Sequence, residues 1–334
     1  MLRREKRLGF CFALVCLVLF LRIIFTSEPL GEIPLNQFAV REYTKENFIE
    51  LVARTYGTSR LLDTLTYDHL TYVEIRDEVV EVDGRKEIRR IAKKDNKLMT
   101  CAYLKFPSKL TRSTLDTRKW EIDVYRKPRR SQGAIVDELF ASGALSPTPE
   151  SSARVLTLGL GGGFLNTYLH HAFPQMSITA VEFHRPTVEM AKKWFSLEPD
   201  NSLQVVIEDG VLFLEKSALR GRPYNAVILD ACFIHTLDEL HCPSTAFLNP
   251  QPIKDMAKVV GEQGVLIVDV FSNSHYPESV VREIEKKFLK YFKYSKIKHV
   301  EGTSNYIITF TQFKHKELYT ILDKAFLKPS DAHE

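Results

Sequence analysis

The chain has 334 residues, of which 44% are hydrophobic and 26% charged, which suits one large globular domain or two smaller ones. Its formal charge of +4 arises within residues 1–25, where five basic side chains stand against one acid, so the rest of the chain is neutral. Disordered, collagen-like and multi-pass membrane proteins are excluded. Nucleic-acid-binding proteins usually carry a basic domain, so no nucleic-acid partner is expected.

The N-terminus has the pattern of a membrane segment. Basic residues at 3–7 precede fourteen residues without charge, 8–21, and then Arg22 and a short apolar end. This stretch approaches the roughly 20 residues that cross a bilayer, and Arg22 lies near enough to one interface to snorkel. A cleaved signal peptide is one alternative, although Phe25 occupies the position two before Ser27, the small residue expected at a cut. A buried hydrophobic helix is the other alternative.

We interpret residues 1–30 as an uncleaved signal anchor. Because basic residues stay on the cytoplasmic side, the chain would be a single-pass type II membrane protein in the secretory pathway, with its body in the lumen. The body has three cysteines, which form no disulfide framework, and the chain has no Asn-x-Ser/Thr sequon. Cysteine usage therefore does not decide the compartment.

Residues 31–130 are predicted to form one helix followed by a small β-rich region. Residues 44–56 begin with a capping threonine and have apolar residues at helical spacing. Two strand-like runs then flank Asp83-Gly84, a dipeptide typical of a tight β-hairpin. The basic cluster at 126–130 is interpreted as a solvated linker that a proline interrupts.

From residue 153 onward strands and helices alternate. A long amphipathic helix is predicted at 278–292. Seven apolar runs predict strands, at 155–158, 178–181, 205–207, 226–229, 265–270, 297–300 and 306–310. This pattern indicates an α/β fold with a mostly parallel, seven-stranded sheet and helices on both faces. We assign 131–315 to this domain and 316–334 to a C-terminal helix and tail.

The first strand of this sheet ends in a glycine-rich loop with Gly159, Gly161 and Gly163. Such glycines let the backbone turn sharply and approach a ligand where a side chain would intrude. The loop alone is a weak signal, because an ordinary strand-to-helix turn also explains it. Glu182 ends the next strand, 19 residues past Gly163, where an acid can accept both hydroxyls of a ribose.

Two more acids follow the third and fourth strands. Asp209, within Glu208-Asp209-Gly210, is placed to accept a hydrogen bond from an exocyclic adenine amine, which favours S-adenosylmethionine over a dinucleotide. Asp230 comes directly after the fourth strand. Because parallel strands present their carboxyl ends at one edge, we expect the glycine loop and the three acids to converge on one ligand.

At these residues the sequence resembles the spermidine-synthase-like group of class I S-adenosylmethionine-dependent methyltransferases. It is particularly similar to the C-terminal domain of the elongation factor 1-alpha lysine and N-terminal methyltransferases. The resemblance covers 154–312 and includes RVLTLGLGGGFL, Trp194-Phe195 and CPSTAF at 242–247. It implies a Rossmann-like fold and S-adenosylmethionine as cofactor. The implied contacts are Gly159, Gly161 and Gly163 with the methionine part, Glu182 with the ribose and Asp209 with the adenine.

The segment after the fourth strand departs from the spermidine synthases. Those enzymes have Asp-Ser-Ser-Asp there, whereas this chain has Asp230-Ala231-Cys232-Phe233. A diamine substrate needs an anionic pocket for its far ammonium group, and the second acid of that pocket is missing. Aminopropyl transfer is therefore disfavoured.

Two other features have competing interpretations, a set of cysteines and histidines and the acid Asp269. Cys232, His235, His241 and Cys242 could suggest zinc, but the adjacent His241 and Cys242 cannot easily face one metal, so no metal is predicted. A disulfide between Cys232 and Cys242 is the alternative if the body is lumenal. Asp269 is interpreted as an acid in a strand-end turn rather than as an active-site group.

The sequence thus predicts a membrane-anchored methyltransferase that uses S-adenosylmethionine to methylate a nitrogen, with a protein favoured as substrate. Asp230 is the predicted catalytic residue, which would orient the acceptor or take its proton. A catalytically inactive scaffold or regulator with the same fold is the alternative from another class, and an aminopropyltransferase is the third. A homodimer is left open.

Overall fold

The computed structural model describes residues 42–66, 72–94, 97–232 and 239–314. The chain divides into two units, Met1–Tyr43 and Thr44–Glu334, and of the first only the last two residues are described. The predicted signal anchor at 1–30 and the predicted C-terminal helix and tail at 316–334 lie outside the described residues. Within the described residues, no helix is long and apolar enough to cross a membrane.

The second unit begins with helix α1, Lys45–Tyr56, as predicted. Thr44 caps it, because its Oγ1 accepts a hydrogen bond of 3.3 Å from the Asn47 backbone N–H. Phe48, Ile49 and Val52 are its buried residues. The helix therefore packs one apolar face against the sheet that follows.

That sheet has four antiparallel strands in sequential order: β1 Ser59–Thr66, β2 Tyr72–Val82, β3 Arg85–Lys94 and β4 Lys97–Tyr103. The predicted hairpin is confirmed. Asp83 and Gly84 join β2 to β3 with φ angles of 52° and 75°, the left-handed pair that a type I′ turn requires.

Two short 3₁₀ helices, Arg112–Thr114 and Thr117–Lys119, lead to helix α2, Arg130–Ala141. The basic cluster before α2 is not simply solvated, contrary to the prediction. Arg126 bonds Glu87 at 2.7 Å, Arg129 bonds Asp83 at 2.8 Å, and Lys127 is paired with Asp137. These ion pairs hold the loop against β3 and α2.

The second sheet contains the remaining strands: β5 Arg154–Leu158, β6 Ser177–Glu182, β7 Leu203–Ile207, β8 Ala226–Leu229, β9 Leu240–Cys242, β10 Val265–Ser272, β11 Tyr294–His299 and β12 Asn305–Thr311. Its helices are α3 Phe164–Ala172, α4 Arg185–Trp194, α5 Gly210–Arg220, α6 Pro250–Val260 and α7 Pro277–Phe288, with a 3₁₀ helix at Thr245–Leu248.

The strand order is β11-β12-β10-β8-β5-β6-β7. β12 is antiparallel to both of its neighbours and the other six strands of this order run in one direction, so the predicted mostly parallel sheet is confirmed. The sheet has eight strands rather than the predicted seven, because β9 is added to it. The three-residue β9, too short for a sequence pattern, was not predicted and pairs antiparallel with the end of β10.

Helices cover both faces of this sheet, as predicted. Residues of α2, α3 and α4 form one core with one face of the strands, and residues of α5, α6 and α7 form a second core on the other face. The crossovers change sides between β5 and β8, the position at which open α/β sheets form a crevice for a ligand.

Candidate functional site

A cavity of about 770 Å³ lies at the carboxyl edge of the large sheet. The glycine loop and the ends of β6, β7, β8 and β10 line it, and β4 and the start of α2 line it from the N-terminal region. Of the predicted site residues, the cavity brings together Gly159, Gly161, Glu182, Asp209 and Asp230. Gly163 does not line it and lies at the start of α3 with a φ of 71°.

The glycine loop is shaped by two close approaches. At Gly159, with φ 93°, a Cβ atom would lie 2.3 Å from the backbone oxygen of Asp230, so only glycine lets the ends of β5 and β8 come this close. A Cβ at Gly162 would lie 2.7 Å from the Thr100 side chain, which shows that β4 closes directly onto the loop. Gly161 has open space on its Cβ side.

Glu182 joins the end of β6 to this loop. Its Oε2 accepts a hydrogen bond of 3.1 Å from the Leu160 backbone N–H, and its Oε1 accepts one of 2.8 Å from that of His184. Burial raises the pKa of the carboxyl group, and these two hydrogen bonds act against the rise. Each carboxylate oxygen can accept more than one bond, so Glu182 keeps acceptor capacity toward the cavity.

Asp209 caps helix α5. Its Oδ1 accepts hydrogen bonds from the backbone N–H groups of Val211, at 2.7 Å, and Leu212, at 3.3 Å. Gly210 follows because a Cβ there would lie 2.8 Å from the Phe247 ring, within the CPSTAF segment. Local capping thus fixes one oxygen of Asp209, and its Oδ2 bonds to no other described residue.

Asp230 has a carboxyl neighbour, Asp269. In the parallel pairing of β8 with β10, Leu229 lies opposite Val268, so the next two positions place Asp230 beside Asp269. Both side chains point to the face that carries α2, because strand residues alternate and Ile228 and Ile267 belong to that core. The two carboxyl groups lie close enough for each to change the pKa of the other.

Asn305 of β12 completes this cluster. Its Nδ2 donates to both Oδ1 and Oδ2 of Asp269, each at 3.0 Å. Asp269 is only 3% exposed and lies inside β10. The interpretation of Asp269 as a turn acid is therefore wrong, because the strand continues for three residues past it.

The two carboxyl groups do not ionise alike. Burial, followed by the negative charge of Asp269 and the shared hydrogen bond, raises the pKa of Asp230 well above its ordinary value. Burial raises the pKa of Asp269 to about 6, while the hydrogen bonds from Asn305 and Asp230 act to lower it. The interaction between the two groups raises the pKa of Asp230 and lowers that of Asp269, so Asp269 loses its proton first.

A disulfide joins Cys232, just after β8, to Cys242 at the end of β9. The disulfide alternative from the sequence is thus confirmed, and both sulfurs are committed to it rather than to the zinc set. Cys232 Sγ lies 3.6 Å from Asp230 Oδ1, so the bond forms part of the wall beside the acid. His235 and Phe233 lie outside the described residues.

The sequence analysis named Asp269 but assigned it to a turn, although a signal for its position beside Asp230 exists. The run AVIL of β8 is followed by Asp230, and the run VLIV that begins β10 is followed by Asp269. Since Ala226 pairs with Val265 at the start of both runs, equal spacing brings the two acids level. The cavity-lining residues of β4 carry no comparable signal.

No family model matches the chain. Curated relatives include the eEF1A lysine and N-terminal methyltransferase homolog of Drosophila melanogaster, 27% identical over 197 residues, which are 59% of this chain and 29% of that protein. The eEF1A lysine and N-terminal methyltransferase of Mus musculus is 25% identical over 54% of this chain and 27% of its own length. The chain thus spans less than a third of these relatives. A polyamine aminopropyltransferase of Vibrio vulnificus is 27% identical over 39% of this chain and 40% of its own length.

Solved structures show the same fold. Human Methyltransferase-like protein 13 in complex with SAH has a TM-score of 0.50 and 23% identity, covering 55% of this chain and 86% of that one. A probable spermidine synthase from Corynebacterium glutamicum has a TM-score of 0.53 and 12% identity, covering 79% and 84%. The resemblance predicted from the sequence is confirmed: the chain is a homologue of eEF1A lysine and N-terminal methyltransferases and of spermidine-synthase-like proteins, and it has the Rossmann-like fold of class I methyltransferases.

Proposed function

We propose that the chain is a membrane-anchored, S-adenosylmethionine-dependent methyltransferase that methylates a nitrogen of a protein. The observation that carries this proposal is the single cavity that Gly161, Glu182, Asp209 and Asp230 line together. The names of the relatives support methyl transfer to a protein.

The residues present fit S-adenosylmethionine. Gly161 leaves space for a ligand against the backbone, Glu182 keeps acceptor capacity for a ribose, and Asp209 has its Oδ2 available for an adenine amine. When bound, the cofactor would supply an electrophilic methyl carbon. The chain's own task is then to align the acceptor nitrogen and leave it unprotonated, and Asp230 is the acid beside the glycine loop that can do so.

The segment after β8 supports methyl transfer over aminopropyl transfer. The cavity has four cationic side chains and four carboxyl groups in its lining, so its charge favours neither reaction. A diamine needs a second acid after Asp230 for its far ammonium group, and this chain has Phe233 at that position.

Isothermal titration of residues 31–334 with S-adenosylmethionine and with its decarboxylated form tests this assignment. Binding of the first alone supports a methyltransferase, and binding of the second alone would identify an aminopropyltransferase. Binding of neither would favour the inactive scaffold. Transfer of tritiated methyl groups to proteins of a membrane-compartment lysate then tests the substrate class.

We further propose that the signal anchor holds the body in the lumen of the secretory pathway. The disulfide between Cys232 and Cys242 supports an oxidising compartment. Protease treatment of sealed microsomes should leave the body intact, and alkaline carbonate should not extract it. Digestion of the body in sealed vesicles would reverse the orientation, and release by carbonate would exclude the anchor.

A further inference from the structure

We propose that Asp230 and Asp269 act as one proton-sharing pair: Asp230 meets the acceptor amine, and Asp269, anchored by Asn305, stores the proton that the amine loses. Asp269 and Asn305 are positioning residues in this scheme, because they act through Asp230. The inference rests on the proposed N-methyltransferase function and deepens it by naming an amine that arrives protonated as the acceptor class.

The geometry assigns the two carboxyl groups different tasks. Asp230 is partly exposed and lines the cavity, next to the glycine loop. Asp269 is buried behind it, with both oxygens held at 3.0 Å by one amide group. An amide that donates to both oxygens of a carboxylate favours the ionised form, so the negative charge of the pair resides on the inner residue.

Other ionisable groups near Asp269 do not compete for this role. His241 of β9 has its pKa lowered by burial and by Lys97, and is therefore neutral at pH 7. Glu138 of α2, on the same face of the sheet, is bonded by Lys296 Nζ at 2.9 and 3.0 Å. Arg130 at the start of α2 also lines the cavity, but it has no carboxyl group with which Asp269 could share a proton. Helices α5, α6 and α7 pack against the opposite face. Among the described residues, Asp230 is thus the acid that shares a proton with Asp269.

The proton transfer balances without a further reactant. An acceptor ammonium donates a hydrogen bond to the Asp230 oxygen that carries no proton. Its N–H bond breaks and an O–H bond forms there, while the proton already on Asp230 passes to Asp269. The ammonium becomes a neutral amine and the pair changes from one negative charge to none. The amine lone pair can then form the C–N bond as the C–S bond of the methyl donor breaks, with its electron pair left on sulfur.

The first test is independent of turnover. Residues 31–334 with ¹³C-labelled aspartate carboxyl groups are titrated by NMR, and the signal of Asp269 is assigned by its loss in Asp269→Asn. We expect this signal to titrate near pH 6 in the unsubstituted protein. Asn305→Ala removes the two donated hydrogen bonds and should raise the pKa of Asp269 by roughly one unit. Asn201→Ala, on an exposed turn, is the control and should leave the signal unchanged.

The second test asks whether the ionisation of Asp269 sets the pH dependence of methyl transfer. The acidic limb of the kcat–pH profile should move upward by the same amount in Asn305→Ala. In the Asp269→Asn background, adding Asn305→Ala should move the limb no further, because the group that Asn305 stabilises is gone. Loss of activity through disturbed packing alone would lower kcat at every pH without moving the limb.

Each outcome supports or contradicts either the proton-sharing pair or the proposed function. A shifted NMR titration together with a shifted kinetic limb supports the pair. An unshifted Asp269 signal in Asn305→Ala, with an intact fold by circular dichroism, overturns it. A kinetic limb that stays in place while the signal moves, or that moves equally in both backgrounds, also overturns it and leaves the methyltransferase assignment intact. Normal titration in a protein that binds no S-adenosylmethionine would contradict the proposed function instead.

Discussion

Asp209 has two tasks at once, because one oxygen caps α5 and the other is left for a ligand. The substitution to alanine removes both, so a loss of cofactor binding in that variant would not by itself prove a cofactor contact. Asparagine separates the two tasks, since it is as good a helix cap as aspartate but carries no charge.

We therefore expect the free energy of unfolding of Asp209→Asn to lie within about 0.5 kcal/mol of that of the unsubstituted protein. Asp209→Ala should have a free energy of unfolding that is lower by about 1 kcal/mol. Both should bind S-adenosylmethionine more weakly, by about 1.5 to 3 kcal/mol, because the adenine amine loses a charged acceptor. Urea unfolding and isothermal titration measure the two effects. Unchanged affinity in Asp209→Asn would place the adenine elsewhere.

Asp230 allows a second test at this scale. Its backbone oxygen is the atom that approaches Gly159, so Asp230→Asn should leave the glycine loop in place and keep cofactor affinity within a few fold. Turnover should fall roughly 100-fold, the usual order for loss of a positioned proton acceptor. Tritiated methyl incorporation is the measurement. Equal labelling by both proteins would remove Asp230 from the mechanism.

The difference between Asp230 and Asp269 shows how far residue-level prediction reached. Asp230 was identified because it ends an apolar run where ligands bind in α/β sheets. Asp269 stands in the same position of the neighbouring strand, but its burial depends on β12, which covers it and supplies Asn305. That contact joins residues 36 positions apart, and no local pattern predicts it.

At the scale of elements, helix α1 and the strands of the large sheet other than β9 were predicted from their apolar residues. β9 has three residues, too few for a sequence pattern, and it pairs antiparallel with the end of β10.

Because the Cys232–Cys242 bond closes a short loop, a reducing agent should lower the free energy of unfolding by roughly 2 to 3 kcal/mol. The same reagent should have no effect on Cys242→Ser, which already lacks the bond. Thermal unfolding with and without dithiothreitol is the measurement. Cys101→Ser is the matched control, because Cys101 is a free thiol and this variant should keep the response. A Cys242→Ser protein that still responds would contradict the assignment.

At the scale of the whole molecule, the N-terminal sheet is part of the site. Thr100 of β4 packs against Gly162, and Asp63 of β1 accepts a hydrogen bond of 2.9 Å from Trp194 at the end of α4. Trp194, which the family resemblance includes together with Phe195, thus bridges the two sheets. The sequence indicated the composition of each region but not this contact, because the partners lie far apart in the chain.

The free energy of unfolding should depend on pH because of the buried pair Asp230 and Asp269. The pKa of Asp269 rises from 3.8 to about 6 on folding, so between these values the folded state holds more protons than the unfolded state. The free energy of unfolding contributed by this group is therefore present at low pH and is lost as the pH rises through about 6. The difference between the unsubstituted protein and Asp269→Asn should thus fall by up to about 3 kcal/mol from pH 4 to pH 7.

Urea unfolding of both proteins across this range tests the prediction. Asp63→Asn is a control whose difference from the unsubstituted protein should change little between pH 4 and pH 7, because a hydrogen bond from Lys193 lowers the pKa of Asp63. The stability that Asp63 contributes is present at neutral pH and is lost as the pH falls below its ordinary value near 3.8. Parallel pH curves for the unsubstituted protein and Asp269→Asn would show that Asp269 does not change its proton affinity on folding.

The disulfide beside Asp230 also has a consequence for how the protein matures. In the lumenal topology proposed above, a newly made chain would complete this wall of the cavity only on reaching oxidising surroundings, because reducing surroundings keep the two cysteines as thiols. Molecules of one sequence would then exist as a younger and an older form that differ beside the acid. The state of these two cysteines would report whether a given molecule has completed its passage between compartments.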